Sequence, residues 1–568
     1  MANVETEKEI DLIWGEKIPM RDGINLNATI YKPHKMPEQL PVILPMTPYI
    51  SDTYHERGMY FARNGYVFAI VDVRGRGSSE GEFAPLENDP NDGYDTVEWL
   101  AKQPWCNANV AMWGGSYAGY NQWATLKEFP PHLETIVPAA AAHPGVDMPF
   151  MNNIYYTYEM QWLTLVSGVT PNVNLFDESS FWIQKFCELY LNHRPLKELD
   201  QIVGNPSLNF QKNLEHPTPD EYWDKLAPSE DDYRKIKTPV LSITGHYDGD
   251  QPGAMAFYRR HMKYGNPEAV KNHYLIIGPW DHAGTRTTNK KVGGLTFGDA
   301  CLIDLNKLHI EWYDWTMKDG EKSGFLKKRV AYYVIGSEEW KYANSLEDIS
   351  NEKRRLFLDS ADGMANDVFQ SGIMTTEKPS LSTIDTYIYD PLDIRPAELE
   401  RETIKDYILD QRIALNLFSN GLVYHSEAFD EATEISGYLK FVAWISMDVP
   451  DTDFQVSISE ILPDGTSISL SDCLMRARYR ESLRKEKLVT SGEINPYVFD
   501  SFMFFSRRIA RGSRLRLVFK CPNSINLQKN YNSGGVVHDE SGKDARTAHI
   551  TLYHDAKYPS YLELPIVR

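Results

Sequence analysis

The stretch Val110-Ala111-Met112-Trp113-Gly114-Gly115-Ser116-Tyr117-Ala118-Gly119 decides the fold. A short apolar run passes into small residues around one serine, and a helical pattern follows. A strand-to-helix turn this sharp leaves no room for side chains beside its tip, so Gly and Ala flank a serine that is pushed outward. The strict Gly-x-Ser-x-Gly spacing is not kept, because Ala118 stands in the second glycine's place and Gly119 follows. Alanine still meets the steric demand. Taken alone, the segment also reads as a Gly-rich helix start carrying an incidental serine.

The flanking sequence predicts an α/β domain with a largely parallel sheet. Strands are expected at Leu26 to Tyr31, Val42 to Met46, Tyr66 to Val73, Thr135 to Ala139, Val240 to Gly245 and Tyr274 to Gly278. Their Val and Ile content suits central strands buried on both faces. Tyr94 to Lys102 has helical spacing. From about Pro144 to Lys237 this rhythm stops, and aromatic-rich runs at Ile154 to Val166 and Phe176 to Leu191 read as helices of an insertion over the sheet's carboxyl edge. After a helix at Ile303 to Met317, short strands at Val330 to Ile335, Leu356 to Leu358, Phe454 to Ile461 and Arg514 to Phe519 predict an all-β sandwich of the jelly-roll kind. The expected division is therefore 1–143 with 238–325 for the α/β domain, 144–237 for the helical cap, and 326–568 for the jelly roll.

Composition narrows the function. The 568 residues carry 59 Lys and Arg against 79 Asp and Glu, a net charge of −20, which disfavours nucleic acid as a partner. The five cysteines show no Cys-x-x-Cys spacing, so neither a disulfide framework nor a zinc knuckle is expected. Met1 to Ile10 carries Glu5, Glu7 and Glu9, unlike a secretory leader, and no run of about 18 apolar residues occurs. A cytoplasmic protein without a membrane partner is the expectation.

An exposed serine needs a base, and the base needs an orienting carboxylate. In sheet-built serine hydrolases these follow in the order Ser, Asp or Glu, His, from loops after later strands. The strand ending at Gly245 leads into His246-Tyr247-Asp248-Gly249-Asp250, and the strand ending at Gly278 leads into Pro279-Trp280-Asp281-His282. Asp248 and His282 fit both order and placement. Asp250 is the rival acid, with Asp281 behind it; His246 and His273 are rival bases in poorer positions. The Tyr117 backbone N–H should donate to an oxyanion. The loop Thr47-Pro48-Tyr49-Ile50 offers the Tyr49 hydroxyl as a second donor, or simply a loop aromatic.

With these residues in place, the sequence resembles the family of cocaine esterase, α-amino acid ester hydrolases, glutaryl acylases and Xaa-Pro dipeptidyl-peptidases. The likeness spans Met20-Arg21-Asp22-Gly23, the run from Asp72 to Gly81, the run from Asp92 to Leu100, and Gly-x-Ser-Tyr-x-Gly at 114 to 119. It continues through Tyr247-Asp248-Gly249, Gly278-Pro279-Trp280-Asp281-His282, Pro463-Asp464-Gly465 and Gly512 to Leu517. The resemblance implies Ser116 as nucleophile, His282 as base, Asp248 as its orienter, and an oxyanion hole from Tyr117 N–H and the Tyr49 hydroxyl. It implies an α/β-hydrolase domain, a helical cap and a C-terminal jelly roll. The Asp72 to Gly81 segment lacks the Gly-Lys-Ser/Thr ending of a phosphate loop and reads as a turn behind the active-site wall.

The expected activity is hydrolysis of an ester or amide through an acyl-enzyme, with no metal or organic cofactor, on a small-molecule substrate; homo-oligomerisation and acyl transfer stay open. In α-amino acid ester hydrolases a carboxylate cluster holds the substrate ammonium. Asp147 and Asp250 match two of its positions, while the third is the neutral Gln251. Asp147 as a cap of the helix that follows it and Asp250 as a solvated loop residue is the plainer alternative. A Xaa-Pro dipeptidyl-peptidase is the rival enzyme, disfavoured because the first strand-like run already begins at Leu26. A non-catalytic jelly-roll binding protein is the rival outside enzymes.

Overall fold

The computed structural model describes residues 9–360, 363–380, 383–412 and 415–568; Glu5 and Glu7 lie outside them. The first sheet is built from β1 (Ile10–Pro19), β2 (Asn25–Pro33), β3 (Leu40–Leu44), β4 (Val67–Asp72), β5 (Cys106–Gly115), β6 (Leu133–Ala139), β7 (Val240–Tyr247), β8 (His273–Asp281), β9 (Val330–Val334) and β10 (Glu339–Ala343). Their order is β1-β2-β4-β3-β5-β6-β7-β8-β9-β10, with the short Met46–Thr47 strand continuing β3 beside β4. The strands from β4 to β9 run parallel, while β1, β2 and β10 pair antiparallel at the edges.

The helices that matter for the site are α1 (His55–Arg63), α2 (Asp89–Ala101), α3 (Tyr117–Leu126), α4 (Tyr158–Leu165), α5 (Gln251–Tyr264) and α6 (Leu305–Met317). Strand periodicity divides the apolar residues between two layers. Val67, Ala69 and Val71 pack with Val97, Leu100 and Trp123 of α2 and α3. Phe68 and Ile70 face the other way, onto Phe61 of α1 and Trp312 and Tyr313 of α6.

Two expectations are corrected by the pairing. Val330 to Ile335 was expected in the jelly roll, but β9 pairs in parallel with β8, Leu275 opposite Val330. All five of its residues are buried, as a strand covered on both faces requires, and α6 supplies the crossover before it. The α/β sheet thus reaches past residue 325 to Ala343. Ile154 to Val166 is not one helix. Asn152 and Asn153 both take positive φ and turn Phe150–Met151 back onto Ile154–Tyr155; α4 starts only at Tyr158.

Ser179–Leu191 and four-to-eight-residue helices up to Glu230–Lys235 complete the insertion. Beyond residue 350 the chain forms a second, mostly antiparallel β system with its own core around Phe441, Phe454 and Phe519. That domain packs on the cap and the sheet. Thr157 Oγ1 donates to Ile525 O (3.1 Å), Lys529 Nζ to Tyr190 O (3.0 Å), and Gln251 Nε2 to both Gly245 O and Phe504 O (2.9 Å each). Gln251 Oε1 in turn accepts from Phe504 N–H at 2.6 Å. No helix among the described residues is long and apolar enough to cross a membrane.

Gln251 is 1% exposed, so Gln251→Ala strips the Phe504 N–H and C=O of this partner, while Gly245 O still accepts from Asp248 N–H at 3.3 Å. At ~1–3 kcal/mol for each buried unpaired group, partly relieved by water, a loss of about 3 kcal/mol of unfolding free energy is expected in denaturant titration. A variant as stable as the parent would show that this clamp does not tie the domains.

Candidate active site

Ser116 caps α3 at the tip of the turn with φ 61° and ψ −125°. Such a backbone costs a non-glycine residue ~1–3 kcal/mol and persists only where neighbours fix it. Here the Ser116 N–H donates to Ala139 O (3.0 Å) and Ala140 O (3.1 Å). A Cβ on Gly119 would lie 2.7 Å from Ala139 O, and one on Gly114, itself at φ 141°, would lie 2.6 Å from the Ala118 Cβ. Glycine at both places is a steric necessity, as the sequence pattern implied.

Register brings the acid and the histidine together. Tyr247 pairs with Asp281, so the residues that follow, Asp248 and His282, leave the carboxyl ends of β7 and β8 side by side. His282 Nδ1–H donates to Asp248 Oδ1 at 2.9 Å. Asp248 is fully buried, its Oδ2 accepting from Thr244 Oγ1 (2.8 Å) and its Oδ1 also from Asp250 N–H (3.1 Å). With the proton held on Nδ1, Nε2 is left with the lone pair. Burial lowers the His282 pKa, but the Asp250 charge and the Asp248 hydrogen bond outweigh it and raise it above the ordinary imidazole value.

Tyr49 is oriented by the cap. Trp162 Nε1–H of α4 donates to the Tyr49 hydroxyl at 3.0 Å, which occupies an acceptor site and leaves the phenol proton free. Burial pushes Tyr49 up to about 12, so it stays a neutral donor. The Trp162 ring stacks on Tyr117 at 6.0 Å and 19°. The Tyr117 phenol is pinned by donating to Asp89 Oδ2 (2.6 Å) and accepting from Leu86 N–H (2.9 Å). Behind Tyr49, the fully buried Arg76 donates from Nε to Pro48 O (2.7 Å) and from Nη1 to Val166 O (2.9 Å), tying the Tyr49 loop to the end of α4. That is the wall-supporting part of the Asp72 to Gly81 segment.

Tyr49, Ser116, Tyr117, Asp147, Asp250 and His282 line one cavity of about 450 Å³. The two acids differ. Asp147 does not cap the helix that follows it in the chain; its Oδ2 accepts from Gly253 N–H in the first turn of α5 (2.5 Å) and its Oδ1 from His143 N–H (2.7 Å). Burial, then the Asp250 charge, holds its pKa well above the carboxylate range. Asp250 makes no side-chain cap; its Oδ2 lies 3.7 Å from His282 Nδ1, and burial pushes it up to about 6.

Gln251 is absent from this lining because its side chain clamps Phe504. The rival bases are structural. His246 Nε2–H donates to Tyr333 O at 2.8 Å, and His273 is buried between Ser242 Oγ and His261 Nδ1, 2.9 Å from each. Sequence reasoning missed Trp162 and Glu159, both in the cavity wall. The signal for Glu159 was a charge inside the apolar, aromatic run from Ile154 to Val166.

Residues 22–284 match the family model described as X-Pro dipeptidyl-peptidase (S15 family), and residues 313–563 match that of the X-Pro dipeptidyl-peptidase C-terminal non-catalytic domain. A cocaine esterase of Rhodococcus sp. (strain MB1 Bresler) is 26% identical over 579 residues, covering 97% of this chain and 98% of that protein. Among solved structures, an aminopeptidase from the marine sediment archaeon Thaumarchaeota archaeon superposes with TM-score 0.85 at 22% identity, over 100% of this chain and 99% of that one. An α-amino acid ester hydrolase does so with TM-score 0.84 at 20% identity, over 100% and 98%. These two likenesses are of fold, an α/β-hydrolase domain followed by an all-β domain. With the two family models together spanning most of its length, the chain belongs to the X-Pro dipeptidyl-peptidase (S15) family and is a serine hydrolase, a class that cleaves esters or amides.

Proposed function

We propose that this hydrolase acts on esters or amides of α-amino acids through an acyl-enzyme formed on Ser116. The observation that carries the reading is one cavity lined by Ser116, His282, Tyr49 and the carboxylates Asp147 and Asp250, with the buried Asp248 bonded to His282 from behind. As Ser116 Oγ attacks the substrate carbonyl, His282 Nε2 takes its proton and then gives it to the leaving alcohol or amine. Asp248 keeps the ring oriented and stabilises the imidazolium. The Tyr117 N–H, at the first turn of α3, and the Tyr49 phenol donate to the oxyanion; one such donor is worth ~10²–10³ in kcat. Water then attacks the acyl-enzyme, with His282 as base again.

Asp250, with Asp147 beside it, would hold an α-ammonium next to the acyl carbonyl, the raised carboxyls giving up their protons to solvent as the cation binds. Each charged hydrogen bond favours the cation by ~1.5–3 kcal/mol. The same pair would hold a peptide N-terminus, so an aminopeptidase-like amide hydrolase is the second reading. We place the activity in the reducing cytoplasm, a reading supported by five cysteines that are all free thiols.

Ser116→Ala should fold as the parent does and lose ~10⁴-fold or more in turnover of an amino acid ester, because triad members act as a unit. Near-parental turnover would end the assignment. In the parent, kcat/KM should fall as pH drops through a value above the ordinary imidazole pKa of about 6.5, because only neutral His282 accepts the proton. Asp250→Asn removes the larger raising charge and should move that limb to lower pH. A limb unchanged in the variant, or absent from the parent, would contradict a His282 base beside Asp250.

A further inference from the structure

Glu159 takes no part in that chemistry, yet it stands in the same cavity. It lies in the first turn of α4, is 4% exposed, and lines both the reaction cavity and a small adjoining one beside Asn213. Asn213 Nδ2 donates to Oε1 at 3.1 Å. Among the described residues, Oε2 has no hydrogen-bond partner and no basic side chain pairs with the carboxylate. A buried carboxylate without a cation is unfavourable, and glutamine would satisfy Asn213 equally well. The fold therefore gains nothing from the charge. The wall beside it is apolar and aromatic, formed by Met148, Pro149, Tyr158 and Trp162. Asp250 enters the cavity from the β7–α5 turn and Glu159 from the cap, so acidic groups from two separate elements flank a space with aromatic sides.

We propose that Glu159 binds a second amine, at the end of the substrate's acyl side chain, so that the preferred substrates are esters or amides of a basic amino acid of the lysine or ornithine type. The inference rests on the reading above, with the α-ammonium on Asp250 and Asp147 and the methylenes of the side chain lying along the aromatic wall. Burial holds Glu159 up to about 8. An ammonium arriving beside the neutral carboxyl displaces its proton to solvent and leaves a charge-paired hydrogen bond at Oε2.

The test compares kcat/KM on the ethyl esters of lysine, norleucine and hexanoic acid near neutral pH. Lysine and norleucine differ at the side-chain amine, which reports on Glu159; norleucine and hexanoate differ at the α-amine, which reports on Asp250 and Asp147. The parent should prefer lysine over norleucine by about tenfold or more, as one charged hydrogen bond allows. Glu159→Gln should bring that ratio near one while the norleucine-to-hexanoate ratio keeps its parental value. A parent that hydrolyses the lysine ester no faster than the norleucine ester overturns the proposal without need of a variant. An unchanged lysine preference in Glu159→Gln overturns it too. Equal rates on norleucine and hexanoate with the lysine preference intact would support the Glu159 site and count against the α-ammonium site alone.

Discussion

The passage of the chain between Gly114 and Gly119 has almost no free space, and the rest of the site is built around that restriction. Ser116 can hold its unfavourable backbone because Ala139 and Ala140 accept its N–H from the end of β6. Ala140 N–H in turn donates to Ile243 O of β7 at 2.8 Å. The strand that carries Asp248 is thus bonded to the segment that fixes the serine, and β8 carries His282 in register beside it. A side chain larger than hydrogen at Gly119 would push α3 away from β6, and the Tyr117 N–H and Ser116 would move together. Displacements near 1 Å are worth ~10²-fold in rate, which explains why sheet register and small residues here matter more than any single contact.

Electrostatics adds the second layer. Asp147, Glu159 and Asp250 each have their carboxyl pKa raised, with burial the first cause in every case. A cavity with such acids pays a desolvation cost that a bound cation relieves. His282 gains from the same field, since a nearby negative charge stabilises the imidazolium formed during attack. On the proposed function, recognition of a cation and the strength of the base are coupled through Asp250.

Much of this was legible in the residues. The elbow, the acid after β7 and the histidine after β8 are local patterns, each set by a strand end. The alternation of Val67, Ala69 and Val71 against Phe68 and Ile70 fixes two packed layers without any long-range knowledge. What escaped the reading depends on pairing at a distance. The strand β9 looked like the first of the jelly roll because short β-strands follow it, and only its parallel bonds to β8 assign it to the first sheet. Strand β1 carries mixed polar residues because it is an edge, so its pattern is weak. Gln251 occupies a position where the resemblance placed a substrate ligand, but its amide matches a backbone donor and acceptor of Phe504, some 250 positions along the chain. Trp162 and Glu159 reach the site from the cap, whose orientation no local period encodes.

The central claim is that Ser116 is the nucleophile, activated by His282. Covalent labelling with a fluorophosphonate, followed by peptide mapping by mass spectrometry, tests it most directly. The account predicts one phosphonyl adduct per chain, on Ser116, with labelling slowed at low pH as His282 protonates. A folded protein that takes up no label, or whose adduct maps to another residue, would contradict it.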